Sequence, residues 1–528
     1  MLIGGGSPRS FNAFSRADHS RISNKTRRGP RDSDGTSIRR TIDIVHGKRH
    51  RHLPAYVCLI TLLAAVSHPS WAADIPGQQT SIAAVWQQAD LGGMRAALAK
   101  MGVQVTFTYY GEALGNPSGG VRQGLIYEGR LGTIVDADLD KLLGWSGATF
   151  HASIHQIHGQ GLSAGYVQNL MTISGIEALA TTRLFNLWIE QTWGDKVNLR
   201  VGQFTAAQEF FVSQNANLFV NSTFGWPVIT AQNLPSGGPA YPEATPGARL
   251  KLTPDNQLTL MVAIFNGDPA GPGPDNPVAR DLYGLAFRVR DPPLVIAEID
   301  YAYNLAAVER SVHQEGSRSQ PGQQSTNNGP RSFGLPGVIR LGAWYHTGRF
   351  ADQRFDLQGL SLSDPRSTGQ PLQHRGNFGV YAVIDQMLWR APVGNDQGLS
   401  GFMRASASPR DRNLMDIYVD AGLTYKGLVA GRPDDMAGLG FAVGRISPQA
   451  AAADRDMIVF TGNPMPIRDY EAVIELTYQA RITKDWSVQP DFQYIFHPGG
   501  NVPNPRDPTG ASPIPNAKVI GVRSMMKF

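Results

Sequence analysis

The chain of 528 residues is 41% hydrophobic but only 17% charged, and its formal net charge is +5. This composition argues against a disordered chain and a long coiled coil, and no apolar run reaches the roughly 18 residues that a membrane-spanning helix requires. Residues 1–73 hold 12 Lys and Arg but only four Asp. The remainder is therefore slightly acidic, and it lacks the basic excess that a nucleic-acid partner would require.

The basic N-terminal region has the features of an export signal. A positively charged cluster at His46–His52 precedes a short apolar stretch, Ala55–Ser67. Small residues then occupy the −3 and −1 positions of a cut after Ala72. This order is typical of a secretory signal peptide. We therefore expect residues 1–73 to comprise an N-terminal extension and a cleaved signal peptide. Cys58, the only cysteine, lies in the apolar stretch, so we expect no disulfide in the mature chain.

Residues 74–101 are predicted to be a periplasmic segment ahead of the first strand. Within it, Ala89–Met101 is amphipathic and rich in helix-forming residues, although Gly92 and Gly93 disfavour a helix. We expect a short helix here, and a disordered segment is the alternative.

From residue 102 to the C-terminus, apolar and polar residues alternate along many segments. In Tyr470–Ile482, Ile474 and Leu476 fall on one side of a strand and Glu475 falls on the other. A soluble β-sandwich would show the same alternation. A membrane barrel is favoured because the strands reach the length of about ten residues that a tilted transmembrane strand needs, and because aromatic residues gather near strand ends. We therefore expect residues 102–528 to form a transmembrane β-barrel.

Connection lengths predict the topology of this barrel. Turns of about 3–10 residues alternate with long polar connections, and in outer-membrane barrels the short turns are periplasmic and the long loops extracellular. Among 17 candidate strands, Leu282–Arg290 and Leu294–Asn304 are taken together as one crossing, because two periplasmic termini require an even number. The predicted fold class is all-β, an antiparallel barrel of 16 strands. One misfit is Leu305–Pro336, which becomes an unusually long periplasmic connection.

Short segments spread between Asp90 and Phe528 share one resemblance. They are Leu142–Trp145, Phe224–Pro227, Asn233–Pro242, Phe265–Gly271, Asp385–Arg390, Gly422–Gly427 and Gln489–Ile495. In this order they resemble the carbohydrate-selective porins of the OprB type from Gram-negative outer membranes. The resemblance implies a 16-stranded barrel, surrounded by outer-membrane lipid, that passes small neutral carbohydrates by diffusion. Phe528 resembles the aromatic C-terminus with which such proteins engage the barrel-assembly machinery, whereas Val312–Pro330 departs from the family and is interpreted as an insertion.

A pore for neutral sugars requires hydrogen-bonding groups of both charge signs, together with aromatic surfaces and little net field. Alternation predicts that residues of these types line the lumen: Glu128, Arg130, Trp188, Glu190, Arg200, Arg249, Glu298, Glu471, Asp491 and Arg523. Trp188 shares the face of Glu190 and is the predicted aromatic surface of the wall. The whole set would change face if the register slipped by one residue.

The stretch Phe204–Thr245 is too long for a passive connection. Its 42 residues carry several aromatic side chains, including Trp226, among Asn and Gly residues. We expect this extracellular loop to fold into the lumen and narrow the channel, with Trp226 contacting the sugar. The alternative is a surface loop that packs its aromatic residues on itself.

Two patterns suggest chemistry that we do not expect the protein to perform. Gly161–Gly165 matches a nucleophile elbow but lies in a loop, whereas the elbow requires a strand, a turn and a helix. His151 and His155 share a strand face and His158 points the opposite way, so the three rings do not converge on a metal. We therefore expect no enzyme activity, no cofactor and no metal. A general or organic-acid-permeable porin, and a structural barrel plugged by its loops, remain the alternatives.

Overall fold

The structure, a computed structural model, describes residues 93–304, 334–392 and 396–528. The predicted signal peptide, the first part of the periplasmic segment and the insertion Val312–Pro330 lie outside the described residues. So does most of the connection Leu305–Pro336. Within the described ranges, the helices are all too short or too polar to cross a bilayer.

Sixteen antiparallel strands close into one barrel, in which each strand pairs with its neighbours in the chain and β1 pairs with β16. The strands are β1 Val103–Ser118, β2 Gly124–Asp138, β3 Ala148–Gly159, β4 Thr181–Trp193, β5 Val197–Phe204, β6 Thr245–Leu252, β7 Leu258–Phe265, β8 Leu294–Tyr303, β9 Gly337–Asp356, β10 Pro371–Arg390, β11 Gly398–Ala407, β12 Met415–Lys426, β13 Met436–Ile446, β14 Tyr470–Thr483, β15 Trp486–Phe496 and β16 Ala517–Lys527. The predicted 16-stranded antiparallel barrel is confirmed.

The predicted eighth crossing needs a correction. Only Leu294–Tyr303 forms a strand, whereas Leu282–Arg290 is irregular and belongs to the connection between β7 and β8. β7 pairs with β8 along its whole length, which leaves no free edge in the barrel for a further strand. Pro292 and Pro293 also end the earlier run, since proline has no amide hydrogen to donate to a ladder.

Exposure alternates along the strands as the sequence predicts. On β14, the Leu476 side chain is 56% exposed, whereas Glu475 is fully buried. On β16, Ile520 and Val522 are exposed on the outer surface, and Arg523 points inward to a partner on β1. Rows of exposed apolar side chains around a closed barrel are what contact with hydrocarbon requires. The polar rows therefore face the interior.

The two ends of the barrel carry connections of different length. Short connections lie at the end that we call the turn end, as at 194–196, 253–257 and 484–485. The opposite end, which we call the loop end, carries residues 160–180, 205–244, 266–293, 447–469 and 497–516. The connection between β9 and β10 at the loop end is shorter, because β9 continues to Asp356 and β10 already begins at Pro371.

The α-helices in the described residues are short and form no part of the barrel wall. They are α1 Met94–Lys100, α2 Leu139–Leu143, α3 Val228–Asn233, α4 Pro277–Arg280, α5 Pro448–Thr461 and α6 Pro498–Asn501. α1 falls within the range predicted for the N-terminal helix and lies beside the seam between β1 and β16. There the Arg95 guanidinium donates to the carbonyl oxygens of Val105 and Phe528, both at 3.2 Å. The Phe528 amide in turn donates to Phe107 at 2.8 Å, which completes the closure.

Candidate functional site in the barrel interior

Residues 205–244, which we call the long loop, bind the inner surface of the barrel. The backbone amide of Phe211 donates to Glu298 on β8 at 2.8 Å, and that of Asn221 donates to Glu475 on β14 at 3.0 Å. These two strands are six positions apart in a ring of sixteen. The long loop therefore runs across the interior between distant parts of the wall.

Arg404 on β11 holds the long loop most extensively. Its guanidinium donates to the Asp420 carboxylate on β12, at 3.0 and 3.1 Å from Nε, and both side chains are fully buried. The remaining nitrogens donate at 2.8–3.2 Å to the carbonyl oxygens of Phe211, Thr223, Phe224 and Gly225. A buried ion pair is stable only when its other donors are satisfied. Here the backbone of the long loop satisfies them.

A row of glycines on β13 lets the long loop approach the wall closely. A Cβ added to Gly438 would lie 2.7 Å from a methyl carbon of Leu218, and one added to Gly440 would lie 2.8 Å from the ring of Phe224. At Gly444 an added Cβ would lie 3.2 Å from a methyl carbon of Val228 in the loop, and Met415 of β12 is closer still, at 2.8 Å. Any larger residue would displace the apolar side chains of the loop. We call Arg404, Asp420 and these glycines the anchored side of the interior.

Four charged side chains form a second cluster, on β4, β5, β6 and the long loop. Glu190 accepts from Arg200 at 2.7 Å and from Arg249 at 3.0 Å. Glu209 of the long loop accepts from Arg249 at 2.9 Å and also pairs with Arg200. The four side chains, which we call the ion-pair ring, are 4–13% exposed. Two positive and two negative charges compensate within the ring, and Lys251 on β6 and Asp300 on β8 add one further charge of each sign close to it.

Trp188 packs against the ion-pair ring and does not offer an open aromatic surface to the lumen. The Arg200 guanidinium lies 3.7 Å from the Trp188 ring centroid, and the His151 ring stacks on the same indole at 4.7 Å. Only 6% of Trp188 is exposed. The prediction of an aromatic wall surface at Trp188 is corrected accordingly, because neighbours on β3 and β5 cover the ring.

Glu128, Arg130 and Arg523 come together near the seam. Arg523 pairs with Glu112 at 2.6 Å across β16 and β1. The Arg130 guanidinium lies 5.1 Å from the ring centroid of Tyr241, a residue of the long loop, and Glu128 is buried beside this group. Three of the predicted lumen residues are thus brought into one cluster, separate from the ion-pair ring.

Glu298, Glu471 and Asp491 face the interior, and all three are buried. Glu298 accepts from the Tyr381 hydroxyl at 2.8 Å in addition to the loop amide. Glu471 accepts backbone hydrogens from three loop residues, and Asp491 accepts from Gln493 at 2.9 Å. Their carboxylates are therefore engaged by the protein itself.

Trp226 is only partly buried, and its indole nitrogen donates to the Gly237 carbonyl oxygen at 3.0 Å within the long loop.

The sequence analysis considered the aromatic residues of the long loop and missed its charged residues. Glu209 and Glu243 are the only charged residues between 205 and 244. Glu243 accepts a bidentate pair of hydrogen bonds from the Arg183 guanidinium on β4, at 2.8 and 3.0 Å. The sequence held a signal for these ion pairs, because two acidic residues in a stretch without Lys or Arg are expected to pair with basic residues on the barrel wall.

The patterns that resembled catalytic or metal sites have structural roles. The Ser163 hydroxyl is buried and donates to Glu177 at 2.8 Å, and it accepts the Ile173 amide at 2.9 Å. Burial raises the pKa of Glu177, and the hydrogen bonds from Ser163 oppose that rise. His155 stacks on Phe185 at 4.4 Å. Throughout the part of the chain that the structure describes, no three acidic, His or Cys side chains form a group that could hold a metal ion.

Comparisons with known proteins agree with this architecture. The model of a family described as "Carbohydrate-selective porin, OprB family" matches residues 122–528. Porin B of Pseudomonas aeruginosa is 26% identical over 468 residues, which cover 84% of this chain and 91% of that protein. A high-pH structure of OprB from Pseudomonas putida is 23% identical with a TM-score of 0.69, and the match covers 83% of this chain and 97% of that chain.

Proposed function

Since this chain belongs to the OprB family of carbohydrate-selective porins of the outer membrane, we propose that small neutral sugars and polyols diffuse passively past the ion-pair ring into the periplasm. The family and the closed barrel indicate a channel and not an enzyme. The observation that carries the proposal is the balance of charge in the ring. A solute there meets hydrogen-bonding groups of both signs with little net field, which favours neutral, hydroxyl-rich molecules.

The position of the path is supported by where the loops leave space. The anchored side is filled, because apolar residues of the long loop rest on the backbone of β13. On the other side, polar side chains remain open to the interior, and the Asp136 side chain on β2 is 44% exposed. Residues of the long loop also cover β7 and β8. The proposed path therefore runs along β1–β6, with the loop end outside the cell and the turn end in the periplasm.

The predicted lining residues take different roles on this path. Glu190, Arg200 and Arg249 line its narrow part, and Glu128, Arg130 and Arg523 border it near the seam. Glu298 and Glu471 hold loops in place, and Asp491 accepts a hydrogen bond from Gln493 within the wall. Trp226 offers the exposed part of its ring to the sugar.

Two further partners belong to the proposal. Outer-membrane lipid surrounds the exposed apolar rows, of which Leu476 and Ile520 are examples. The barrel-assembly machinery engages the C-terminal strand β16 and Phe528, which follows it.

Liposome swelling with the purified protein tests the function directly. We expect rapid swelling in isotonic arabinose, glucose and sorbitol, and slow swelling in the organic acid gluconate. Equal rates for glucose and gluconate would favour the organic-acid-permeable alternative. No swelling in any sugar, from protein that is folded, would favour the plugged barrel and contradict the proposal.

A further inference from the structure

We propose that Glu209, a residue of the long loop, determines the preference of the pore for uncharged solutes by neutralising Arg200 and Arg249 on the wall. This inference rests on the proposed function and names the residue on which its charge selectivity depends. Without Glu209, two arginines would share the single carboxylate of Glu190. The ring would then carry one uncompensated positive charge.

The long loop supplies this charge in an otherwise neutral segment. Its two charged residues are both acids, and each lies on arginines of the wall. The two sites differ in burial. The Glu243 and Arg183 side chains are 3% and 1% exposed, whereas Glu209 and Arg200 are 12% and 13% exposed. Only the pairing of Glu209 therefore reaches the part of the interior where a solute passes.

The arginines would stay in place after Glu209 is removed. Arg200 is held by Glu190 at 2.7 Å and by the Trp188 ring at 3.7 Å. Arg249 keeps its contact with Glu190 at 3.0 Å. Their positive charge thus remains directed at the path and attracts anions, since an uncompensated charge in a confined aqueous space acts on every passing ion.

Reversal potentials across planar bilayers under a KCl gradient measure the effect. We expect Glu209→Gln to raise the anion-to-cation permeability ratio by about three- to tenfold, as one unbalanced charge at a few ångströms does in a water-like dielectric. Glu243→Gln is the matched control, because it removes the other acid of the same loop at a buried pair. It should leave the ratio unchanged.

A compensating variant tests the charge arithmetic. The double variant Glu209→Gln/Arg200→Gln restores a neutral ring and should return the ratio close to that of the wild type. Arg200→Gln alone should shift it towards cations. Heat-modifiable electrophoretic mobility shows whether each variant is folded. If Glu209→Gln does not fold, Arg200→Gln alone still tests the inference.

Folded Glu209→Gln protein with an unchanged permeability ratio would overturn the inference, as would an equal shift in Glu243→Gln. The proposed function fails separately, by the absence of sugar uptake in the wild type. The two failures are distinguishable, because ion selectivity is measured without sugar. In the swelling assay, we further expect Glu209→Gln to increase the rate with gluconate relative to that with glucose.

Discussion

Two arginine–carboxylate clusters lie inside the same barrel and are built differently. On the anchored side, Arg404 and Asp420 are fully buried, and the arginine also binds four backbone carbonyl oxygens of the long loop. In the ion-pair ring, the Arg200 and Glu209 side chains keep 13% and 12% of their surface exposed, and the charged groups bind mainly one another. Residue type alone thus does not distinguish a structural pair from a pair that faces the solute. Burial and the identity of the remaining partners do.

The largest expected effect is on the anchored side. Arg404→Gln leaves Asp420 buried without its counter-charge and removes donors from the loop carbonyls, so we expect the free energy of unfolding to fall by about 3–5 kcal/mol. Arg200→Gln should cost less, because Arg249 still pairs with both Glu190 and Glu209. Urea unfolding in lipid vesicles, followed by tryptophan fluorescence, measures both. Equal losses would contradict the distinction between the two clusters.

On the outer surface, by contrast, an Arg substitution should cost the same stability behind either cluster. Leu476 on β14 lies behind the anchored side and Val201 on β5 lies behind the ring, and both are more than half exposed. Replacing either with Arg places a charge in hydrocarbon and should cost roughly 2–4 kcal/mol near mid-strand. The same unfolding assay applies. The control is Leu357→Arg, an exposed leucine beyond the end of β9, and a similar loss there would mean that the outward rows do not meet lipid.

A smaller effect is expected from the glycine row. Gly440→Ala forces a methyl group against Phe224 and should cost about 1–3 kcal/mol through overpacking. The matched control is Gly132→Ala on β2, where the nearest atom to an added Cβ is 3.6 Å away. We expect noisier single-channel currents in the Gly440 variant only, since its loop is displaced. Identical behaviour of both variants would place the long loop away from β13.

The smallest effect concerns pH. Burial raises the pKa of Glu177 in the loop 160–180, so the folded loop favours the protonated carboxyl group. Its contribution to stability is complete below the ordinary pKa of 4.5 and is lost as the pH rises through the raised value. Hydrogen exchange of residues 160–180, corrected for intrinsic rates, should show protection that declines with rising pH. In Glu177→Gln the decline should disappear, and its persistence would assign the effect to another group.

The barrel could be predicted from the sequence because the two-residue alternation of apolar and polar side chains can be recognised within each strand alone. The alternation in Tyr470–Ile482 gave both the strand β14 and the direction of its side chains. It failed at Leu282–Arg290, where alternation is present but β8 already occupies the only edge that β7 offers. Arg200 and Arg249 were identified for the same reason, since each lies on a strand.

Glu209 and the covered face of Trp188 could not be identified in this way. A loop has no period that fixes the direction of a side chain, and the position of Glu209 depends on residues of three strands. Whether an aromatic ring on a wall is accessible depends on what its neighbours place over it. Here Arg200 and His151 cover Trp188, and that arrangement follows from the pairing of β3, β4 and β5.

The contacts of the long loop link the width of the channel to closure of the barrel. Asn221 binds Gln493, which follows it by 272 residues, and Glu475 is almost as distant. A barrel without its C-terminal strands would leave residues 205–244 without these partners. Narrowing of the pore therefore depends on the last strands of the chain as much as on the loop itself.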